Sequence, residues 1–178
     1  MRGAARKARL FWPLLLVLVV ADCATKRLAE THLPPAHVPH PVVGSVVNLT
    51  LAYNVGAATG ITLGPYSRGG FSVLTVLILA LLGNLYYRTP PDDRWQLTTL
   101  ALVCGGAIGN LIDRLRSPRG VVDFIDIGFG SYRFWTFNLA DVAVTIGATG
   151  LAWALWKKEA HAESLRATDA GGTSRGDS

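Results

Sequence analysis

Carboxylates and cations stand here in a chain that has little use for charge. Half of the 178 residues are hydrophobic and only 16% are charged, where an ordinary soluble domain carries about a quarter. Yet Asp22 precedes Lys26 by four residues, Asn110 precedes Asp113 and Arg114 by three and four, and Asn138 precedes Asp141 by three, with Asp123 and Asp126 in between. Spacings of three and four put each set on one face of a helix. An ionisable group inside an apolar segment is costly and asks for a reason.

The chemistry open to this set is limited. No Ser is placed with a His or Lys for nucleophilic attack: His32, His37 and His40 fall in a Pro-rich stretch and His161 near the C-terminal end. The helical His–Glu pattern of metallopeptidases is absent. Cys23 and Cys104 stand singly in apolar runs and read as small buried hydrophobes. What remains is a surplus of carboxylates over cations, which suggests an aspartate pair. Two carboxyls held close cannot both ionise, so they share one proton. One draws a proton from water while the other donates to the carbonyl or the leaving amine. That is peptide hydrolysis with no covalent intermediate, and neither cofactor nor metal is implied. From the sequence alone Asp113 competes with Asp123 and Asp141 for that pair.

The elements that must position them are membrane helices. Apolar segments run from about Leu10 to Ala29, Phe71 to Tyr87, Trp95 to Leu115 and Phe137 to Trp156. Crossing about 30 Å of hydrocarbon takes about 20 residues. The fold class expected is integral membrane, mainly α, with four transmembrane helices in one domain over 1–158. Arg2, Arg6, Lys7 and Arg9 precede the first segment, Arg88 and Arg94 lie between the second and third, and Lys157 and Lys158 follow the fourth. Positive charge concentrates on the cytoplasmic side, so both ends of the chain are expected there. Tyr86, Tyr87, Trp95, Trp153 and Trp156 would be interfacial anchors on that side. Arg116, Arg119 and Arg133 run against the scheme, since they fall in the second outer connection. In this topology every polar set lies at the outer ends of its helices. The loop 30–70 is irregular from His32 to Pro41 and strand-like from Val42 to Thr62, and Gly120–Phe129 can add to the same small extracytoplasmic sheet. It is expected to cover the site. The polar stretch 159–178 reads as a disordered cytoplasmic tail. Val20-Ala21-Asp22-Cys23 hints at a lipoprotein cleavage site, but Asp precedes the cysteine and three further helices follow, so the first segment is read as retained. The net charge of +5 sits mostly at the two ends and makes no nucleic-acid stripe.

Ala107-Ile108-Gly109-Asn110-Leu111-Ile112-Asp113-Arg114, Val121-Val122-Asp123-Phe124 and Phe137-Asn138-Leu139-Ala140-Asp141 resemble the signature of the lipoprotein signal peptidases, the type II signal peptidases. Asp22-x-x-x-Lys26 and Asn54-Val55-Gly56-Ala57-Ala58 are similar to that family's earlier motifs, in order and spacing, and Thr59 stands where the family has phenylalanine. The resemblance covers about residues 10–156. It implies that Asp123 and Asp141 are the catalytic pair. It implies that Asn54, Asn110, Arg114 and Asn138 line the site or contact substrate, and that Asp22, Lys26 and Asp113 support it. The implied reaction is cleavage just before a lipid-modified cysteine in a prolipoprotein, at the outer face of the bacterial cell membrane. The implied partners are that precursor and membrane lipids, with no oligomer required.

Plainer readings apply to several of these residues. Asp22 and Lys26 can be a structural ion pair, and Asn110 and Arg114 can be helix–helix hydrogen-bonding groups. Gly105 and Gly109 fit close helix packing, and Gly106 is read as structural support by packing. Asp126 is given no role and reads as an exposed loop residue. Two rival functions are a proton-relaying transporter, which would spread polar groups through the membrane depth, and a docking protein, which would tolerate loss of either aspartate. The inner halves, such as Val73–Leu82 and Val142–Leu155, hold almost no polar residues except Thr.

Overall fold

A computed structural model describes residues 2–56, 64–129 and 132–172. Ala57, Ala58 and Thr59, with the end of the strand-like run to Thr62, lie outside the described residues. Among the described residues, four helices are long and apolar enough to cross a membrane. They are α1 (Arg2–His32), α2 (Ser67–Arg88), α3 (Arg94–Arg116) and α4 (Leu139–Gly172). Helix α3 is the centre of the bundle: 56% of its most apolar stretch is buried, against 0% for α2. The core between the helices is made by Phe11, Leu15, Leu100, Ala101, Cys104 and Leu151.

Two helices exceed their expected bounds. At 31 residues, α1 is about 46 Å long, so its basic first turns project beyond about 30 Å of hydrocarbon. Helix α4 continues past Trp156 to Gly172, so 159–172 is helical and not the disordered stretch its polarity suggests. Its residues explain this: Lys-Lys-Glu-Ala-His-Ala-Glu-Ser-Leu-Arg-Ala is rich in strong helix formers. The last six positions, 173–178, lie outside the described residues.

One end of the bundle carries an antiparallel sheet in the order β1-β2-β3-β4, comprising β1 (His40–Val43), β2 (Val47–Asn54), β3 (Val121–Phe129) and β4 (Tyr132–Arg133). Its apolar face closes over α1 through Ala29, Leu33, Leu51 and Val122. The β2–β3 register opposes Asn54 to Val121 and Ala52 to Asp123. Beyond β4 the chain crosses back over β3. Phe137 N–H donates to the Ile125 carbonyl (3.0 Å), and Ile125 N–H donates to the Phe137 carbonyl (2.8 Å). That crossing starts α4 beside Asp123.

Asp126 is not an exposed loop residue. It is buried in β3, accepts from the Thr50 hydroxyl (3.2 Å) and pairs with Arg133 (2.9 Å). The arginines that ran against the topology also have carboxylate partners. Arg116 and Arg119 lie 3.5 and 3.4 Å from Glu30, so much of the positive charge at this end is compensated locally.

Candidate active site

Helix spacing delivers the polar side chains to one place. Helix α1 brings Asp22 and Lys26, α3 brings Asn110, Asp113 and Arg114, the strands bring Asn54 and Asp123, and the first turn of α4 brings Asn138 and Asp141. Close approach is needed, and glycines permit it. A Cβ on Gly106 would meet the Ala140 carbonyl oxygen at 2.5 Å and Val144 at 2.8 Å, while Gly109 lies against the Asp22 carboxylate and Gly105 against Leu18. Gly106 therefore seats α4 on α3, and Gly105 and Gly109 seat α1.

The centre of the network is Lys26, which is 1% exposed. Its ammonium donates to Asn110 Oδ1 (2.8 Å) and forms ion pairs with the carboxylates of Asp22 (2.8 Å) and Asp113 (2.9 Å). The second carboxylate oxygen of Asp22 accepts from Ala140 N–H at the start of α4 (2.9 Å). Asp113 also accepts from Val122 N–H (3.3 Å) and has Arg116 at 3.8 Å. It is thus engaged by two cations and a strand amide.

With Asn110 Oδ1 facing Lys26, its amide nitrogen is turned the other way and donates to Asp141 Oδ1 (2.8 Å). Asn138 is fully buried and joins the two remaining carboxylates. Its Nδ2 donates to Asp123 Oδ1 (2.6 Å), and also lies 3.2 Å from Asn110 Oδ1 and from the Val122 carbonyl. Two protons serve three acceptors, and the shortest contact is to Asp123. Asn138 Oδ1 accepts from Asp141 N–H (3.0 Å), and Asn138 N–H donates to Asp141 Oδ2 (3.2 Å). This reciprocal pair is an N-terminal cap on α4. Asn54 hydrogen-bonds Asp123 from the neighbouring strand and accepts from Gly56 N–H (2.9 Å).

Asp123 is 3% exposed. Burial, and then the charge of Asp141, push its carboxyl up to about 7. Such a group carries a proton at near-neutral pH and can donate it. Arg114 reaches the Gly56 carbonyl (3.2 Å), and its buried Nε has no partner among the described residues. Asp141 opens onto an apolar cavity of about 290 Å³, lined with Phe134, Trp135, Phe137, Val142 and Ile146. Phe134 and Trp135 had no signal in the sequence, because they lie in an irregular segment with no period to mark a face. Among the described residues no group of three or more His, Cys, Asp or Glu is placed to hold a metal ion.

The positions predicted from spacing thus converge, with Asp22, Lys26 and Asp113 beneath and Asp123 and Asp141 above, joined by Asn110 and Asn138. Comparison with known proteins adds a family. The model of the family described as signal peptidase (SPase) II matches residues 14–157. A lipoprotein signal peptidase of Hydrogenovibrio crunogenus is 37% identical over 165 residues, covering 88% of this chain and 91% of the relative. One of Moorella thermoacetica is 39% identical over 146 residues, covering 82% and 91%. A bacterial membrane enzyme solved by the in meso method superposes with a TM-score of 0.74 at 31% identity, over 83% of this chain and 88% of its own.

Proposed function

We propose, from the premise that this chain belongs to the signal peptidase II family, that it removes signal peptides from prolipoproteins with Asp123 and Asp141 as its catalytic pair. The observation that carries this reading is Asn138, a single buried residue whose side-chain amide donates to the Asp123 carboxylate and whose backbone N–H donates to that of Asp141. Asp123 is the proton donor, because its carboxyl stays protonated to about 7. Asp141 takes a proton from water, and the resulting hydroxyl attacks the scissile carbonyl carbon. The Asp123 proton passes to the leaving nitrogen as the C–N bond breaks. Asn54 and Arg114 face the same space and contact the substrate backbone. The scissile bond lies just before a cysteine that carries diacylglycerol, whose acyl chains remain in the bilayer beside the apolar cavity at Asp141.

The same reading places the protein in the bacterial inner membrane with both ends cytoplasmic and the sheet end outside. The basic turns Arg2–Arg9 and the pair Lys157–Lys158 support that orientation. One protomer contains every residue named, so no oligomer is required.

The test is cleavage of a diacylglyceryl-modified precursor by the purified protein in detergent, read as a gel shift. Wild type is expected to cleave. Asp123→Asn and Asp141→Asn are each expected to lose activity by on the order of 10²–10⁴-fold, and Asp113→Asn by less. An active Asp123→Asn beside a dead Asp113→Asn would replace the pair and keep the reaction. No cleavage by folded wild type would remove the reaction itself.

A further inference from the structure

We propose that the end of the bundle opposite the sheet carries a binding site for the phosphate headgroup of an anionic phospholipid, built by Arg6, Arg9 and Arg94. Helices α1 and α3 flank a cavity of about 520 Å³ lined by Ala5, Arg6, Arg9, Leu10 and Arg94. Arg6 and Arg9 are three residues apart and share a face of α1. Lys7, between them, points the other way. It is buried and donates to the carbonyls of Tyr87 (3.2 Å) and Thr89 (2.8 Å), 4.4 Å above the Tyr86 ring. That anchor fixes the rotation of α1 and so presents the two arginines toward α3.

No carboxylate lies within ion-pair distance of the three guanidinium groups among the described residues. Asp93, the neighbour of Arg94, is engaged elsewhere: it caps Gln96 N–H (3.0 Å) and pairs with Lys158 (2.5 Å). Three like charges around one cavity repel unless an anion enters or water screens them. A solvated basic face would meet this condition in bulk water. This cavity, however, lies where α1 emerges from the apolar layer, beside Leu10, the first residue of the apolar run. Lipid phosphates occupy that depth. A guanidinium offers a planar fork that fits two phosphate oxygens, and Leu10 and Ala5 supply an apolar wall for the start of an acyl chain. Charge and depth together select an anionic phospholipid of the adjacent leaflet.

The probe is phosphatidylglycerol against phosphatidylcholine, with retention of lipid adducts on the purified full chain read by native mass spectrometry. Wild type is expected to retain phosphatidylglycerol preferentially. A guanidinium hydrogen-bonded to the bound phosphate contributes on the order of fivefold in affinity, so Arg6→Gln/Arg94→Gln should retain it about twenty-five-fold less well. Arg6→Lys/Arg94→Lys, with charge kept and the fork lost, should fall between. The control is Arg88→Gln/Lys157→Gln, which removes two cations from the same end but outside the cavity; in detergent, with no charged membrane surface and no contact to the bound phosphate, it should lose less than about fivefold. These side chains are exposed, so the variants should fold, and unchanged thermal midpoints would verify it. Equal loss in both doubles would overturn the site in favour of general surface attraction. Displacement of the lipid by millimolar inorganic phosphate would overturn the assignment to a lipid and leave a simple anion site.

Discussion

The two ends of the helix bundle treat charge in opposite ways. At the sheet end, buried charges come with partners: Lys26 between Asp22 and Asp113, Asp126 with Arg133, and the half-buried Glu30 with Arg116 and Arg119. At the other end, Lys7 is the one buried cation among the described residues, satisfied by carbonyl oxygens at the C-terminus of α2, while among those residues Arg6, Arg9 and Arg94 have no carboxylate within ion-pair distance. An interior that has lost water must supply its own counter-charges, because the desolvation of an ion has to be offset where the ion sits. A surface among headgroups can leave them to the membrane. The arginines of the connection between α3 and α4 follow the same pattern: Arg116 and Arg119 lie beside Glu30, and Arg133 beside Asp126.

Breaking the sheet-end network should produce the largest effect. Lys26→Met leaves Asp22 and Asp113 buried without their cation, and is expected to cost about 3–5 kcal/mol of stability, read as a thermal midpoint in detergent. The matching change at the other end, Arg9→Gln, should stay within about 0.5 kcal/mol. Comparable losses in both would erase the contrast between the ends.

A sharper probe is pH. Asp123 is raised from a carboxylate's usual 3.8 to about 7. The folded chain holds its proton while the unfolded chain releases it, so this group's contribution to stability is fully present below about 4 and is lost as pH rises through about 7. The thermal midpoint should therefore fall across that window in wild type and fall less in Asp123→Asn. If Asp123 is the acid, the cleavage rate should drop about tenfold per unit above about 7. A rate that climbs through pH 8 would assign the proton elsewhere.

A much smaller effect than that of Lys26→Met should come from Glu30→Gln. Its arginine partners are half-exposed or more, and exposed pairs contribute below about 1 kcal/mol. The loss should shrink further in high salt. A loss as large as that of Lys26→Met would mean that the Glu30 cluster, too, is a dry network.

Much of this was legible in the chain, and for a definite reason. Spacings of three and four are local, so Asp22 with Lys26, Asn110 with Asp113 and Arg114, and Asn138 with Asp141 could each be assigned to a face. The helices were legible because a membrane demands long apolar runs, and topology then brought the polar faces to one end. What stayed hidden is long-range. Nothing in the sequence says that Lys26 orients the amide of a residue 84 positions away, that Asp22 receives an N–H from Ala140, or that Glu30 gathers Arg116 and Arg119. The helix beyond Trp156 was obscured for a different reason. Its polarity suggested disorder, yet polar residues such as Lys, Glu and Arg are also good helix formers.

The reach of Asp22 to Ala140 has a consequence in time. A membrane protein is made from its N-terminus, and here the first helix carries an oxygen whose hydrogen-bond donor is synthesised 118 residues later. Asn138 and Asp141 arrive with that donor, in the last quarter of the chain. Until α4 inserts and docks on Gly106, Asn110 has no Asp141 to meet and Asp123 has no Asn138. A ribosome-bound intermediate with three helices in the bilayer therefore lacks the Asn138–Asp141 half of the network, and completion of the chain is itself the step that assembles it.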